Sequence, residues 1–178
     1  MRHVHKPDSG IALLEVLISL VVITIGLLGL AAMQITTLQG NMKTRQYEAA
    51  SYGLNQLMER LSSNTAGVAN GYYNFDNLAA AAENSKPDDS CDASDITDGC
   101  KAKRELAVWL DSLKVVLPSP RIKISTNTAI ASGAQVTVQI VWNAALKTNS
   151  DSQNYATVCD KNNVDSYQCN QLTVWLPK

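Results

Sequence analysis

The sequence predicts an α+β protein in which a long amino-terminal α-helix packs on an antiparallel β-sheet, with two disulfide loops. First, an apolar tract near the start of the chain leads directly into an amphipathic helical pattern. Second, three segments with strand patterns follow one another in the carboxyl-terminal part. Third, the four cysteines fall in two close pairs, Cys91/Cys100 and Cys159/Cys169. A chain of 178 residues suits one modest domain with an appended element.

The apolar tract extends from Ile11 to Met33. Residues 16–33 carry no charge, and only Ser19 and Thr24 among them are strongly polar. As a helix rising about 1.5 Å per residue, the tract would be about 35 Å long, enough to cross a bilayer core of about 30 Å. A secretory signal peptide, with an apolar region of about 7–15 residues, and a plain membrane anchor are the alternatives. Neither explains Glu15, because a carboxylate within a membrane helix is costly and usually has a partner.

The residues around Glu15 resemble the class III signal of type IV prepilins. The leader MRHVHKPDSG precedes IALLEVLISLVVITIGLLGLAAMQ, which supplies a glycine, a hydrophobic residue and a glutamate fifth after the cut. The resemblance implies that a prepilin peptidase removes residues 1–10 by cutting after Gly10. The peptidase would then methylate Ile11 as the new amino terminus. The family most often has phenylalanine at the position of Ile11.

The resemblance also implies a role in assembly for Glu15. The retained apolar segment would anchor the subunit in the inner membrane and later pack in the core of a filament. There, Glu15 would neutralise the amino-terminal charge of a neighbouring subunit, because opposite charges are cheaper to bury together than apart. Arg2 and Lys6 in the leader agree with a cytoplasmic amino terminus and a periplasmic remainder.

The segment IGLLGLA, residues 25–31, resembles PilV-type minor pilins. The implied function is that of a minor pilin that nucleates type IV pilus assembly, supports twitching motility and sits at the pilus tip on the cell surface. Its implied partners are other minor pilins, the major pilin, the prepilin peptidase, the inner membrane and a tip adhesin. Two alternatives are a minor pseudopilin of a type II secretion system and a pilus-tip adhesin.

The long helix is predicted to run from residue 11 to about residue 62. Residues 11–35 would form its transmembrane or filament-core half, and residues 36–178 the periplasmic domain that includes the rest of the helix. Beyond Met33, apolar residues recur at spacings of three and four, which predicts a stripe that faces the core. These residues are Tyr47, Ala50, Leu54, Leu57, Met58 and Leu61. The segment SSNTAGVANG ends the helix with capping and breaking residues.

The stretch from residue 71 to 103 is predicted to be largely irregular. Within it, NLAAAAEN is expected to add a short helical turn. An acidic loop follows, with Asp88, Asp89, Asp92, Asp95 and Asp98. Their spacing does not match the calcium loop D-x-[DN]-x-[DN]-G, so we expect a solvated loop and no metal site.

A second helix and three strands are predicted after this loop. The helix covers residues 105–117, and two prolines, Pro118 and Pro120, end it. Its apolar face comprises Leu106, Trp109, Leu110 and Leu113. Strands are predicted over 121–126, 134–143 and 170–178, and short turns between them favour an antiparallel meander. The middle strand alternates, which places on one face Val136, Val138, Ile140 and Trp142.

Four cysteines allow three disulfide connectivities. We expect local pairing, in which each bond closes a loop of about ten residues and contributes about 2–3 kcal/mol. Disulfides imply an oxidising compartment, here the periplasm or the outside. Zinc is disfavoured because the only histidines, His3 and His5, lie in the leader.

Enzymes and nucleic-acid partners are not expected. A mature chain without histidine has neither Ser-His-Asp nor Cys-His chemistry, and no glycine-rich phosphate loop is present, so no cofactor is predicted. Loss of the leader changes the net charge from -1 to -2. Lys101, Lys103 and Arg104 form only a small basic patch, too little to hold a nucleic acid.

Overall fold

The computed structural model describes residues 9–79, 85–87, 91, 94–129, 133–144, 159 and 167–177, with side chains from residue 13 onward. These residues contain α1 (Ser9–Ser63), α2 (Thr65–Ala69), β1 (Phe75–Asp76), α3 (Asp98–Val116), β2 (Arg121–Asn127), β3 (Gly133–Asn143) and β4 (Tyr167–Pro177). The chain divides into two compact units, an amino-terminal unit, Met1–Lys43, and a carboxyl-terminal unit, Thr44–Lys178. The predicted long helix is confirmed within two residues at each end.

The four strands of the carboxyl-terminal unit form an antiparallel meander in the order β1-β2-β3-β4. β3 is its centre, since it pairs with β4 from Gly133↔Pro177 to Asn143↔Tyr167. On its other side it pairs with β2 along the whole of that strand. The predicted meander is therefore confirmed, and so is the alternation of the middle strand. All four residues assigned to its inner face are buried, namely Val136, Val138, Ile140 and Trp142.

The helical part of the core consists of α1 from Thr44 onward, α3 and Val68 of α2, which pack on the inner face of the sheet. Burial confirms four positions of the predicted stripe, Ala50, Leu54, Leu57 and Leu61. Tyr47 lies at the margin, because 41% of it stays exposed while its ring meets the Trp142 ring edge-on at 5.1 Å. The indole nitrogen of Trp142 donates to Gln46 Oε1 at 3.1 Å, so this end of the strand is tied to α1.

α1 and α3 approach each other most closely at Gly53. The indole nitrogen of Trp109 donates a hydrogen bond of 2.8 Å to the Gly53 carbonyl. A Cβ atom at position 53 would lie only 2.6 Å from Cδ2 of Leu113. Any side chain at position 53 would therefore force Leu113 to move, so glycine allows the close approach of the two helices. The predicted apolar face of α3 is confirmed, and Trp109 is its most buried member.

Three local features differ from the sequence prediction. α3 begins at Asp98, seven residues before the predicted start, because Thr97 caps it by accepting from the Cys100 amide. α2 lies in the segment predicted only to end the long helix, and Asn64 caps it by accepting from the Gly67 amide at 2.9 Å. β1 lies in the stretch predicted to be irregular. It is held by the next residue, Asn77, whose Oδ1 accepts from the Ile122 amide at 2.7 Å.

The two disulfides join Cys91 to Cys100 and Cys159 to Cys169. The first links the acidic loop to the first turn of α3. The second attaches to β4 and lies in a small apolar cluster with Leu78, Val141 and Tyr167, on the side of the sheet away from the helices. The fold therefore has the two predicted disulfide loops.

Parts of two predictions lie outside the described residues. They are residues 80–84 of the predicted helical turn NLAAAAEN and three members of the acidic loop, Asp88, Asp89 and Asp92. Asp95 is described, and its carboxylate accepts a hydrogen bond of 2.8 Å from the Thr97 amide just before α3. Its backbone carbonyl accepts from the Arg104 guanidinium. Asp95 thus serves the start of α3.

Candidate functional site

The residues predicted to direct processing and assembly all lie in the first two turns of α1. The backbone of Gly10 and Ile11 is helical, since α1 begins at Ser9. The side chain of Glu15 is exposed, and its backbone carbonyl accepts a hydrogen bond of 2.7 Å from the Ser19 hydroxyl. Glu15 is therefore accessible to another molecule.

The amino-terminal unit exposes an apolar surface that water does not favour. Every residue from Leu13 to Lys43 is exposed, and the large aliphatic side chains before Leu38 each keep more than half of their surface accessible. Burial is worth about 1.5–3 kcal/mol for a Leu, Ile or Val side chain, so this surface needs an apolar environment. Among the described residues, α1 is the one helix that is long and apolar enough to cross a membrane.

Hydroxyl groups within the apolar tract and just beyond it are satisfied by the helix itself. Thr24 donates to the Val21 carbonyl at 2.7 Å, and Thr36 and Thr37 both donate to the Met33 carbonyl at 2.9 Å. Such bonds to a carbonyl three or four residues earlier leave no hydroxyl in need of water. The tract therefore meets the requirement that polar groups in lipid find partners within the protein.

The carboxylate of Glu15 differs from these hydroxyls. Residues 9–42 contain no Lys, Arg or His, so no basic side chain within this stretch can pair with it. At about 100° per residue, Ser19, Gly26 and Gly29 lie on the same face of the helix as Glu15. A Cβ atom at either glycine would meet nothing within 4 Å. This face combines an acid with small residues, which allow close packing of a second helix in a membrane.

The small basic patch at the start of α3 also contains an acid, Glu105. Lys101, Arg104 and Glu105 line a shallow cleft of about 290 Å³ together with Arg60 of α1. Arg104 donates to the Asp95 carbonyl, and Glu105 accepts a hydrogen bond from a buried tyrosine. The patch is thus partly occupied by internal contacts.

That tyrosine is Tyr73, which connects the loop after α2 to α3. Its hydroxyl donates a hydrogen bond of 2.6 Å to Oε2 of Glu105. Burial of the ring raises the pKa of Tyr73 well above its usual value of 10.0, and the hydrogen bond to Glu105 raises it further. The neutral phenol is therefore part of the folded structure.

We expect the stability of the protein to depend on Tyr73 at high pH. The folded state holds the phenolic proton of Tyr73 more tightly than the unfolded state does. The contribution of Tyr73 to the free energy of unfolding is therefore complete below pH 10 and is lost as the pH rises further. Tyr73→Phe should lower the free energy of unfolding by about 1–2 kcal/mol at pH 8. The difference from wild type should shrink between pH 10 and 11.5. Urea unfolding of both proteins in detergent measures this, and a difference that stays constant over this range would contradict the assignment.

A second cleft, of about 510 Å³, lies between α2 and the end of the sheet where β3 begins and β4 ends. Its lining includes Thr65, Val68, Gly133 and Leu176. All lining residues are described, and none of them is an acid or a base. The lining therefore offers no side chain that could act as a general acid or base near neutral pH.

Comparison with protein-family models, curated protein sequences and solved structures finds no match to this chain. Function is therefore argued from two features of the chain itself: the exposed apolar half of α1 with Glu15, and the surfaces of the α+β unit.

Sequence patterns identified the apolar half of α1 and Glu15. They missed the exposure of Trp175 on the outer side of the sheet, because alternation in β4 shows that two faces exist without showing which one is covered.

Proposed function

We propose that the protein is a minor pilin that nucleates assembly of a type IV pilus and sits at its tip within a complex of minor pilins. The observation that carries this proposal is Glu15, an exposed acid at the start of an apolar half-helix that has no basic side chain of its own. The order of Gly10, Ile11 and Glu15 in the sequence, with its resemblance to a prepilin signal, supports the same conclusion.

The arrangement of the chain suits a subunit that is first stored in a membrane and then assembled. In the membrane, lipid would cover the aliphatic surface of residues 13–38. On assembly, the same surface would pack against the apolar helices of neighbouring subunits, so little apolar area would be exposed to water at any stage. The carboxyl-terminal unit has its own core and would stay folded in the periplasm throughout.

Glu15 would contribute to the register of this assembly. Once the peptidase has cut after Gly10, each subunit would carry a positive amino terminus at Ile11, close to the level of Glu15 on its neighbours. A carboxylate and an ammonium group brought together in an apolar bundle attract strongly, since the local dielectric constant is low. The small residues Gly26 and Gly29 would allow the helices to come close.

Processing gives the first test of this proposal. Mass spectrometry of the mature protein should show methylated Ile11 as its first residue. Gly10→Val should leave unprocessed precursor in the membrane, because a β-branched side chain is not expected to fit where the peptidase needs glycine. Gly40→Val, in the same helix but far from the cut, is the control and should be cut normally, because a Cβ atom at position 40 would meet nothing within 4 Å. A mature chain that begins at Met33 or Gln34 would instead indicate an ordinary signal peptide.

Deletion of the gene separates a pilus subunit from a secretion pseudopilin. Loss of surface pili and of twitching motility, with normal exoprotein secretion, is the outcome expected for a minor pilin. Blocked secretion with intact pili would identify a type II secretion pseudopilin and overturn the proposal. Expression of the wild-type chain in the deletion strain should restore the lost function.

A further inference from the structure

Part of the outer face of the sheet is a regular array of polar side chains. In the part of the sheet beyond the apolar cluster of Leu78, Val141 and Tyr167, β2, β3 and β4 each contribute three residues that point away from the helices, and the strand register aligns them in three rows. We call these nine residues the outer sheet face: Lys123, Gln139 and Gln171; Ser125, Thr137 and Thr173; Asn127, Gln135 and Trp175. All are exposed or half-buried. The array extends about 13 Å along the strands and about 10 Å across them.

This face is almost free of charge. Lys123 is its only charged residue, and its ammonium group forms an ion pair with Asp76 at 3.2 Å. Seven of the other eight side chains are amides or hydroxyls. Cross-strand contacts hold some of them in place, since Gln139 Nε2 donates to Gln171 Oε1 at 3.0 Å. In the next row, the hydroxyls of Thr137 and Thr173 lie 3.2 Å apart.

Trp175 is the one apolar side chain on the outer sheet face. It is 57% exposed, whereas the other two tryptophans of the chain, Trp109 and Trp142, are fully buried. Its neighbours in β4, Val174 and Leu176, have side chains that point to the opposite side of the sheet. A large indole ring thus lies against solvent at the edge of a polar array.

We propose that the outer sheet face binds a neutral, hexose-based glycan. A sugar ring has an apolar face of C–H groups, which stacks on an aromatic ring, and a rim of hydroxyls that both donate and accept hydrogen bonds. Trp175 would stack on one sugar ring. The amides of Gln139 and Gln171 and the hydroxyl of Thr173 would bind the hydroxyls of the next rings. The absence of uncompensated charge on this face favours a neutral chain over an acidic one.

A protein partner fits this surface less well. The centre of a specific protein interface is apolar and rich in aromatic residues. Here the central row consists of Ser125, Thr137 and Thr173, and the single aromatic residue lies at one end. The glycan site is independent of the proposed role in pilus assembly, because it involves no residue of the apolar half of α1.

Binding is tested with the full chain in lipid nanodiscs. The probes are maltoheptaose, cellohexaose and mannohexaose, with a hyaluronate oligosaccharide as the acidic comparison. Since Trp175 is the only exposed tryptophan, at least one neutral probe should protect the fluorescence of the protein from acrylamide quenching. Measured by isothermal titration calorimetry, which needs no tryptophan reporter, the Kd should rise at least tenfold in Trp175→Ala and less in Trp175→Phe. Tyr52→Ala removes an aromatic side chain that is 66% exposed on α1 and should leave the Kd unchanged.

The outcomes distinguish this site from an assembly surface. Trp175→Ala should weaken glycan binding and leave piliation and twitching at wild-type levels. If none of the neutral probes binds, or if Trp175→Ala binds them as tightly as wild type, the proposal is wrong. If the variant loses pili but binds the neutral probes as tightly as wild type, the outer sheet face contacts another subunit, and the proposed function stands while the glycan site does not.

Discussion

Trp109→Ala is expected to lower the free energy of unfolding of the carboxyl-terminal unit by about 3–5 kcal/mol. The side chain is fully buried between α1 and the sheet, so its removal leaves a large cavity. It also removes the hydrogen bond to the Gly53 carbonyl. Because a domain of this size is stable by only about 5–15 kcal/mol, a fifth or more of its stability would be lost.

The measurement is thermal and urea unfolding of the full chain in detergent, followed by circular dichroism. The melting temperature of Trp109→Ala should fall by about 10–20 °C. Trp175→Ala is the matched control, since it removes the same side chain from an exposed position and should cost less than about 1 kcal/mol. The loss of stability in Trp109→Phe should lie between those of the two alanine variants, because phenylalanine keeps most of the apolar volume and lacks the indole donor. Equal effects of the two alanine substitutions would contradict the packing described here.

The regular elements with a complete apolar period could be predicted from the sequence. In α1 and β3, each core residue repeats at the spacing of a helix or a strand, so burial and element type follow from one pattern. Periodicity fails to predict elements whose position depends on helix capping or on pairing with a distant segment. The polar segment DGCKAKR has no apolar period, and it is helical because Thr97 caps it and Cys100 is tied to Cys91.

β1 shows a second reason for failure. It has only two residues, Phe75 and Asp76, and no alternation can be read from two positions. Its place beside β2 depends on Asn77, whose side chain accepts from the Ile122 amide and whose own amide donates to the Ile122 carbonyl at 3.1 Å. A contact between residues 45 positions apart leaves no periodic signal in the sequence.

The two candidate sites, Glu15 and the outer sheet face, also differ in whether the local sequence reveals them. Glu15 is visible in the sequence, because one acid in a long apolar tract stands out against the cost of placing it there. The outer sheet face is not visible, because it forms only when β2, β3 and β4 align in register. No local pattern places Gln139 beside Gln171, which lie 32 residues apart.

Glu15→Ala is expected to abolish assembly while leaving the subunit intact. The substitution makes the apolar tract more apolar and changes nothing in the carboxyl-terminal unit, so the protein should be inserted, cut after Gly10 and folded. The neighbouring ammonium group at Ile11 would then lie in an apolar bundle without its partner. Losing one member of a buried ion pair costs about 3–5 kcal/mol. At about 1.4 kcal/mol per tenfold change, the assembly equilibrium should fall by roughly a hundredfold to a few thousandfold.

Counts of sheared surface pili and twitching zones measure this, with immunoblots to show equal amounts of cut protein. Glu48→Ala is the matched control, because Glu48 is an exposed acid of the same helix outside the apolar tract. Subunits with this substitution should assemble normally. Glu15→Gln should fail nearly as badly as the alanine variant, since an amide keeps the hydrogen bonds and loses the charge. If it assembled as well as wild type, hydrogen bonding would be the operative interaction and the ion pair would be excluded. Wild-type pili and secretion in both Glu15→Ala and the deletion strain would exclude an essential role in either assembly, because a subunit that starts a filament cannot be dispensable for it.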